Sequence, residues 1–407
     1  MHASVVAPCS VPSRRRRRFA IGLGAVGAVA LVTSACSSTH LATITATGPH
    51  DAVPATPTSH TDTAFAAAGP YKAGVAFETT PAGDTVVVYY PVDASAAAGQ
   101  ATYTINLLRW FTGSPTAPIP AGLPSTLPTM LATSAYENVP ISAKGPFPVV
   151  LFSHGYGGYP EQSSFLTDHL ATWGFVVVAP DHRSRDLKAV VGGTTGKGQN
   201  DVTDLRQALS LVKKMNATAG SLLDGKLDLT RVASLGHSAG GGAAITVADD
   251  SDIRTYIGLA PAAGTPPPRK PGLIMQGTTD KVVKPGGTLT LYGTLANPKR
   301  LVLIDDAGHN VFDDGCTIGA AQGGLVAFIK TLNLPSAFAS IATDGCSAPD
   351  ISPPTAWPLI NQIVTAQLRY GLGIDTTPVG LDNGVDHAFS GVTASVSTAD
   401  KVTSLKG

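Results

Sequence analysis

The stretch Arg231-Val232-Ala233-Ser234-Leu235-Gly236-His237-Ser238-Ala239-Gly240-Gly241-Gly242 decides the architecture. Residues 231–235 read as a short strand, and 239–248 as a helix. Between them Gly236-His237-Ser238-Ala239-Gly240 must turn sharply, and Gly236 and Gly240 lack the Cβ atoms that would crowd the turn. A serine there is lifted to the carboxyl end of the sheet, where ligand sites of α/β proteins lie. The alternative for an isolated Gly-x-Ser-x-Gly is a glycine-rich helix start with a capping serine.

Apolar runs extend this pattern in both directions. Val149-Val150-Leu151-Phe152 and Gly174-Phe175-Val176-Val177-Val178-Ala179 read as strands buried on both faces, with further strands at 256–260, 273–276 and 301–304. Helical spacing lies near 161–172, 200–214, 285–295 and 318–332. The alternation predicts an α/β domain over 69–375, with a mostly parallel central sheet flanked by helices. Only eleven residues with five prolines, 261–271, follow the strand at 256–260, too short and stiff for a large cap domain.

Two partners follow Ser238 in chain order. Asp280 stands just beyond the strand at 273–276, and His309 lies in the loop after 301–304. In triad chemistry His309 takes the serine proton, while Asp280 fixes the imidazole tautomer and stabilises its cation. The rival acids are Asp305 and Asp306, expected to cap a turn, and Asp313 and Asp314, expected to be solvated. Among the ten histidines, His237 sits inside the elbow and cannot reach Ser238 in line, and His169 is expected on a helix surface. His387, in a Gly- and Asp-rich tail, is the competitor. Ser153-His154-Gly155-Tyr156-Gly157-Gly158 follows the first buried strand. An acyl-transfer oxyanion needs preorganised N–H donors, here those of Tyr156 and Ala239.

The order Ser238, Asp280, His309 is that of the α/β-hydrolase fold, and the chain resembles secreted bacterial serine esterases of the dienelactone-hydrolase-like group. His154-Gly155-Tyr156, the run 236–242 and Gly308-His309 are similar to actinobacterial polyester cutinases. His154-Gly155 with Asp181-His182-Arg183-Ser184-Arg185-Asp186 resembles plasma-type platelet-activating-factor acetylhydrolases. The likeness spans about 148–332. It implies a carboxylic ester hydrolase working through an acyl-enzyme on an ester or lipid substrate, with no cofactor or metal and as a monomer. Alternatives are an acyltransferase to a lipid or sugar alcohol, a phospholipid acetylhydrolase, and a non-catalytic lipid-binding surface lipoprotein. Cutinases carry a Trp after the Pro that follows the corresponding strand. Here Ala262 follows Pro261, so the aromatic clamp of that resemblance is absent unless another side chain supplies it.

Composition agrees with a folded domain: of 407 residues 43% are hydrophobic and 14% charged. Five of the 28 basic residues lie in the first 35, which hold no acid; the remainder has 23 basic against 28 acidic groups, a poor partner for nucleic acid. Arg14-Arg15-Arg16-Arg17-Arg18-Phe19, an apolar run to Val32 and small residues before Cys36 form an export signal over 1–35 with twin-arginine character. Ser34-Ala35-Cys36 resembles a lipobox, with Thr33 where Leu is usual. Cys36 is thus a candidate lipidation site in a cell-envelope lipoprotein; cleavage without lipidation would release a secreted protein. Residues 36–68 read as a disordered tether, and 376–407 as a tail without an assigned role. Outside the cytoplasm Cys316 and Cys346 most simply pair. Residues 109–147 either wall the site or pack the sheet edge, and 181–199 is a candidate mobile rim.

Overall fold

Seven consecutive residues of the strand Phe147–Ser153 are buried, as a strand covered on both faces must be. The computed structural model describes residues 52–57, 61–116, 118, 130–197, 200–267, 270–318, 324, 329, 336–382 and 384–398. In chain order the strands are β1 (Lys72–Thr79), β2 (Thr85–Val92), β3 (Thr104–Asn106), β4 (Met130–Ala132), β5 (Ala135–Glu137) and β6 (Phe147–Ser153). They continue as β7 (Val176–Pro180), β8 (Leu227–His237), β9 (Ile253–Leu259), β10 (Gly272–Gly277), β11 (Lys299–Ile304) and β12 (Ala394–Thr398).

Ten of these form one sheet in the order β12-β11-β10-β9-β8-β6-β7-β2-β1-β5. From β11 through β7 every pairing is parallel. β2 joins β7 antiparallel on one flank, and β12 joins β11 antiparallel on the other. This is the α/β-hydrolase fold. Alternate residues feed two cores: Val150, Phe152, Val177 and Leu235 on one face, Val149, Leu151, Val176 and Val178 on the other. Helices Ser164–Thr172 and Pro353–Gly371 cover the first face through Leu166, Leu170, Ile360 and Ile363. Helix Asp201–Asn216 covers the second through Leu205, Ala208 and Leu209. Its Asn200 side chain caps the Thr203 N–H at 2.9 Å, and Lys213 and Lys214 near its end complement the helix dipole.

Several expectations are corrected. Within the expected tether 36–68, residues 52–57 and 61–68 pack onto the domain; residues 36–51 lie outside the described residues. Phe65 is fully buried, edge-on to Trp173 at 5.1 Å and 5.0 Å from the Arg369 guanidinium. Tyr71 Oη donates to Ala52 O at 2.6 Å. Single anchors such as Val53 and Phe65 disappear in an average dominated by Thr, Ala and Pro. The tail after 375 is structural, since β12 completes the sheet. His169 is buried, not on the surface. Helix Pro353–Gly371 lies outside the helices expected from spacing; two of its prolines open the first turn, where a missing N–H costs nothing. The 318–332 helix, the signal segment and Cys36 fall largely or wholly outside the described residues. Of 109–147, β5 extends the sheet edge, which favours the packing reading. Among the described residues no helix is long and apolar enough to cross a membrane.

Candidate active site

Ser238 occupies the turn between β8 and helix Ala239–Val247 at φ 57° and ψ −123°. A non-glycine residue holds such a conformation only where its surroundings over-determine it. Here they do: Ser238 N donates to Leu259 O at 2.8 Å, and its carbonyl accepts from Ala262 N at 3.0 Å and Gly242 N at 3.2 Å. A Cβ on Gly236 would lie 2.2 Å from Gly240 O, and one on Gly240 would lie 2.1 Å from Ser153 O. Both positions therefore exclude every other residue.

Asp280 and His309 are 3% and 1% exposed, and Asp280 Oδ2 meets His309 Nδ1 at 2.8 Å. The other carboxylate oxygen accepts from Val282 N at 2.8 Å and Val283 N at 2.7 Å, and Gln276 Nε2 adds 3.0 Å to Oδ2. A carboxylate so furnished with donors is an acceptor toward the ring, which places the imidazole proton on Nδ1. His309 Nε2 is left buried, with no hydrogen-bond partner among the described residues, and both Ser238 and His309 line one cavity.

Gly155, Tyr156, Gly157 and Gly158 line the same cavity, and Ala239 opens the helix after Ser238, where N–H groups and the helix dipole favour negative charge. The loop is braced from behind. Arg185 donates to the carbonyls of His154 and Gly155 and to Ser153 Oγ, and its Nε meets Asp201 at 2.6 Å. Gly157 N returns a bond to Arg185 O at 2.7 Å. The expected rim at 181–199 thus begins as a buttress. Burial, then the Arg185 charge, lowers His154 to about 3, so it is neutral; its Nε2 accepts from His182 N at 3.0 Å. Donor atoms of His182, Asp201 and Asp204 lie within 4.8 Å of one another, as metal ligands would. Arg185 already brings a cation to Asp201, and the His182 ring, which burial holds neutral, hydrogen-bonds Asp204 through Nδ1 at 2.9 Å, so these groups are already partnered within the protein.

The cavity measures about 80 Å³ and is walled by apolar side chains including Leu107, Tyr159, Leu187, Phe338 and Ile341. Across Tyr156 an open trough of about 1140 Å³ runs past Arg185, Asn200, Ala239, Thr246 and Ala262.

The rival acids fall away on geometry. Asp306 takes φ 53° in the turn after β11, and Asp305 N bonds Thr393 O at 2.9 Å. Asp313 and Asp314, expected in solvent, are buried; Asp314 Oδ2 receives Ser164 N at 2.6 Å and so caps the helix whose own Ser163 does not. His387 is exposed and does not line the cavity. Sequence reasoning missed Asp344, whose Oδ2 accepts both His309 N at 2.9 Å and Lys281 N at 3.1 Å, tying the loops of His309 and Asp280 together. Its only sequence signal is that it precedes Cys346 by two residues, and Cys316 and Cys346 do form a disulfide.

Residues 134–332 match the family model described as PET hydrolase-like. A chloroplastic chlorophyllase-1 of Citrus sinensis is 28% identical over 163 residues, 40% of this chain and 44% of the relative. A platelet-activating factor acetylhydrolase of Cavia porcellus is 29% identical, covering 30% of this chain and 37% of the relative. A chlorophyllase-2 of Arabidopsis thaliana is 28% identical, covering 31% and 41%. The chain thus spans less than half the length of these relatives, and the likeness read from the elbow and the glycine loop is borne out at the level of the family.

Proposed function

We propose that the chain is a serine carboxylic ester hydrolase, with Ser238 as nucleophile, His309 as base and Asp280 as its orienting acid. One observation carries this reading: His309, its Nδ1 held by Asp280, presents a bare Nε2 in the cavity that Ser238 lines. Ser238 Oγ attacks the ester carbonyl as His309 takes its proton, and the tetrahedral oxyanion is met by the N–H groups of Ala239 and Tyr156. His309 returns the proton to the leaving alcohol, then activates a water that releases the acid and regenerates Ser238. The names of the PET hydrolase-like family and of the acetylhydrolase support ester chemistry.

The cavity favours a small apolar group. An apolar cavity of about 150 Å³ binds benzene, so about 80 Å³ beside Ser238 suits a group of a few carbons. Ala262 puts no tryptophan beside the trough, and Tyr156 is the aromatic side chain that lines it. The arginine-led signal and Cys36 support export and lipid anchoring, with the enzyme working in the cell envelope.

The test is hydrolysis of p-nitrophenyl esters with acyl chains of about 2 to 16 carbons, beside Ser238→Ala. Loss of the nucleophile should cost roughly 10⁴-fold or more, and rates should fall beyond the shortest chains. Turnover surviving in Ser238→Ala would refute the triad; equal rates across chain lengths would refute the small-cavity reading.

A further inference from the structure

Three hydrogen bonds run through buried side chains from the oxyanion loop to the base. Gly155 N–H donates to Gln162 Oε1 at 2.9 Å, the Gln162 amide nitrogen lies 3.0 Å from His237 Nδ1, and His237 Nε2 lies 3.2 Å from the His309 carbonyl. The direction of each bond follows from the first. A backbone N–H can only donate, so it meets the amide oxygen of Gln162. The remaining amide atom is then the NH₂ group, which donates, so His237 Nδ1 is bare and its proton sits on Nε2. That proton points at the His309 carbonyl.

The surroundings are shaped to this arrangement. Gln162 is 6% exposed and His237 2%. A Cβ on Gly158 would lie 2.0 Å from Gln162 Oε1, so the glycine there makes room for the amide. The His237 ring packs on the His309 ring at 4.7 Å. Burial, reinforced by the neighbouring His309, holds His237 well below the ordinary imidazole range and keeps it neutral. Asp313 faces Nδ1 at 3.6 Å, beyond hydrogen-bond range, and burial drives its carboxyl well above its ordinary value toward the neutral form.

We propose that Gln162 and His237 are positioning residues, a one-way strut that holds the oxyanion loop and the base at a set separation. This rests on the reading of Ser238, His309 and Tyr156 as the machinery. Neither strut residue is needed for proton transfer. Their effect is on where the N–H donors and the imidazole stand relative to each other, and displacement of about 1 Å can cost about 100-fold in rate.

Gln162→Glu keeps the shape and reverses the logic. Once it is ionised, one carboxylate oxygen still accepts from Gly155 but the other cannot donate, so at alkaline pH His237 must move its proton to Nδ1 and turn a bare Nε2 on the His309 carbonyl. Gln162→Met breaks both bonds without burying a charge. Imidazole ¹⁵N spectra of the whole protein should show His237 protonated at Nε2 in the unmodified chain, and in Gln162→Glu should show the proton pass from Nε2 to Nδ1 as rising pH ionises the new carboxyl. With a short-chain p-nitrophenyl ester, assayed well below the melting transitions that the unpaired buried groups will lower, both variants should lose roughly 10- to 100-fold in kcat, with KM within about twofold. A His237 protonated at Nδ1 in the unmodified protein would overturn the strut whatever the activity. So would a folded Gln162→Met of unchanged kcat, or one whose losses simply follow a lowered melting temperature. If a fluorophosphonate fails to label Ser238 in the unmodified protein, the hydrolase reading falls and the positioning role with it; the nitrogen spectrum does not depend on that result.

Discussion

Ser238 and His309 face one cavity but are held there by different means. Ser238 is fixed by backbone against backbone: glycines at 236 and 240 allow β8, the following helix and the loop after β6 to approach within distances no side chain tolerates. His309 is fixed by side chains from distant parts of the chain, Asp280 on its ring and Asp344 on its peptide. Close backbone packing fails when an atom is added. A side-chain tie fails when a remote link is cut.

Gly240→Ala should have the largest effect, since its Cβ would fall 2.1 Å from Ser153 O and 2.3 Å from His154 O. Neither backbone oxygen can yield without opening the elbow, so a loss of roughly 4 kcal/mol or more is expected, read as low soluble yield and early melting. A stable, active Gly240→Ala would mean that the elbow is not held this way. Removing the Cys316–Cys346 bond, by reduction or as the double Cys→Ser variant, should cost about 3–4 kcal/mol from loop closure. Because Asp344 lies inside that loop, activity should be lost on heating before the sheet melts. Coincident loss of activity and structure would show that the disulfide serves the fold and not the base.

The mildest probe is Glu161→Gln. Glu161 accepts from Trp110 Nε1 at 2.6 Å, and burial raises its carboxyl to about 7. The folded state therefore keeps a proton that the unfolded chain releases near pH 4. Its contribution to stability is full below that pH and fades as pH rises through about 7. Glu161→Gln should match the parent in melting temperature near pH 4 and exceed it by a few degrees at pH 8. A constant difference across that range would sink the assignment.

The same contrast explains what could be read from the sequence. The elbow, the glycine loop and the parallel strands lie in short contiguous runs whose spacing carries the geometry, so the Ser238 turn and the strand ends that bring Asp280 to His309 were legible. Asp344 and Gln162 act through ordinary polar side chains that no local pattern marks, and the 181–186 run drew notice without revealing that Arg185 braces the glycine loop. Asp314 looked like a solvated loop acid because nothing nearby reveals that it caps a helix about 150 residues earlier. Phe65 and β12 were hidden by compositions that average as linker. Sequence spacing reports backbone constraints well and side-chain ties poorly.

β12 has a practical consequence for anyone trimming the protein. A recombinant version ending near residue 375 would look like a tidy domain boundary, yet it would strip Ala394–Thr398 from β11, leaving unpaired N–H and C=O groups beside Leu301, Val302 and Leu303. An apolar open edge is a template for another chain. The shortened protein should self-associate, and the first position disturbed would be the turn that leads from β11 into His309.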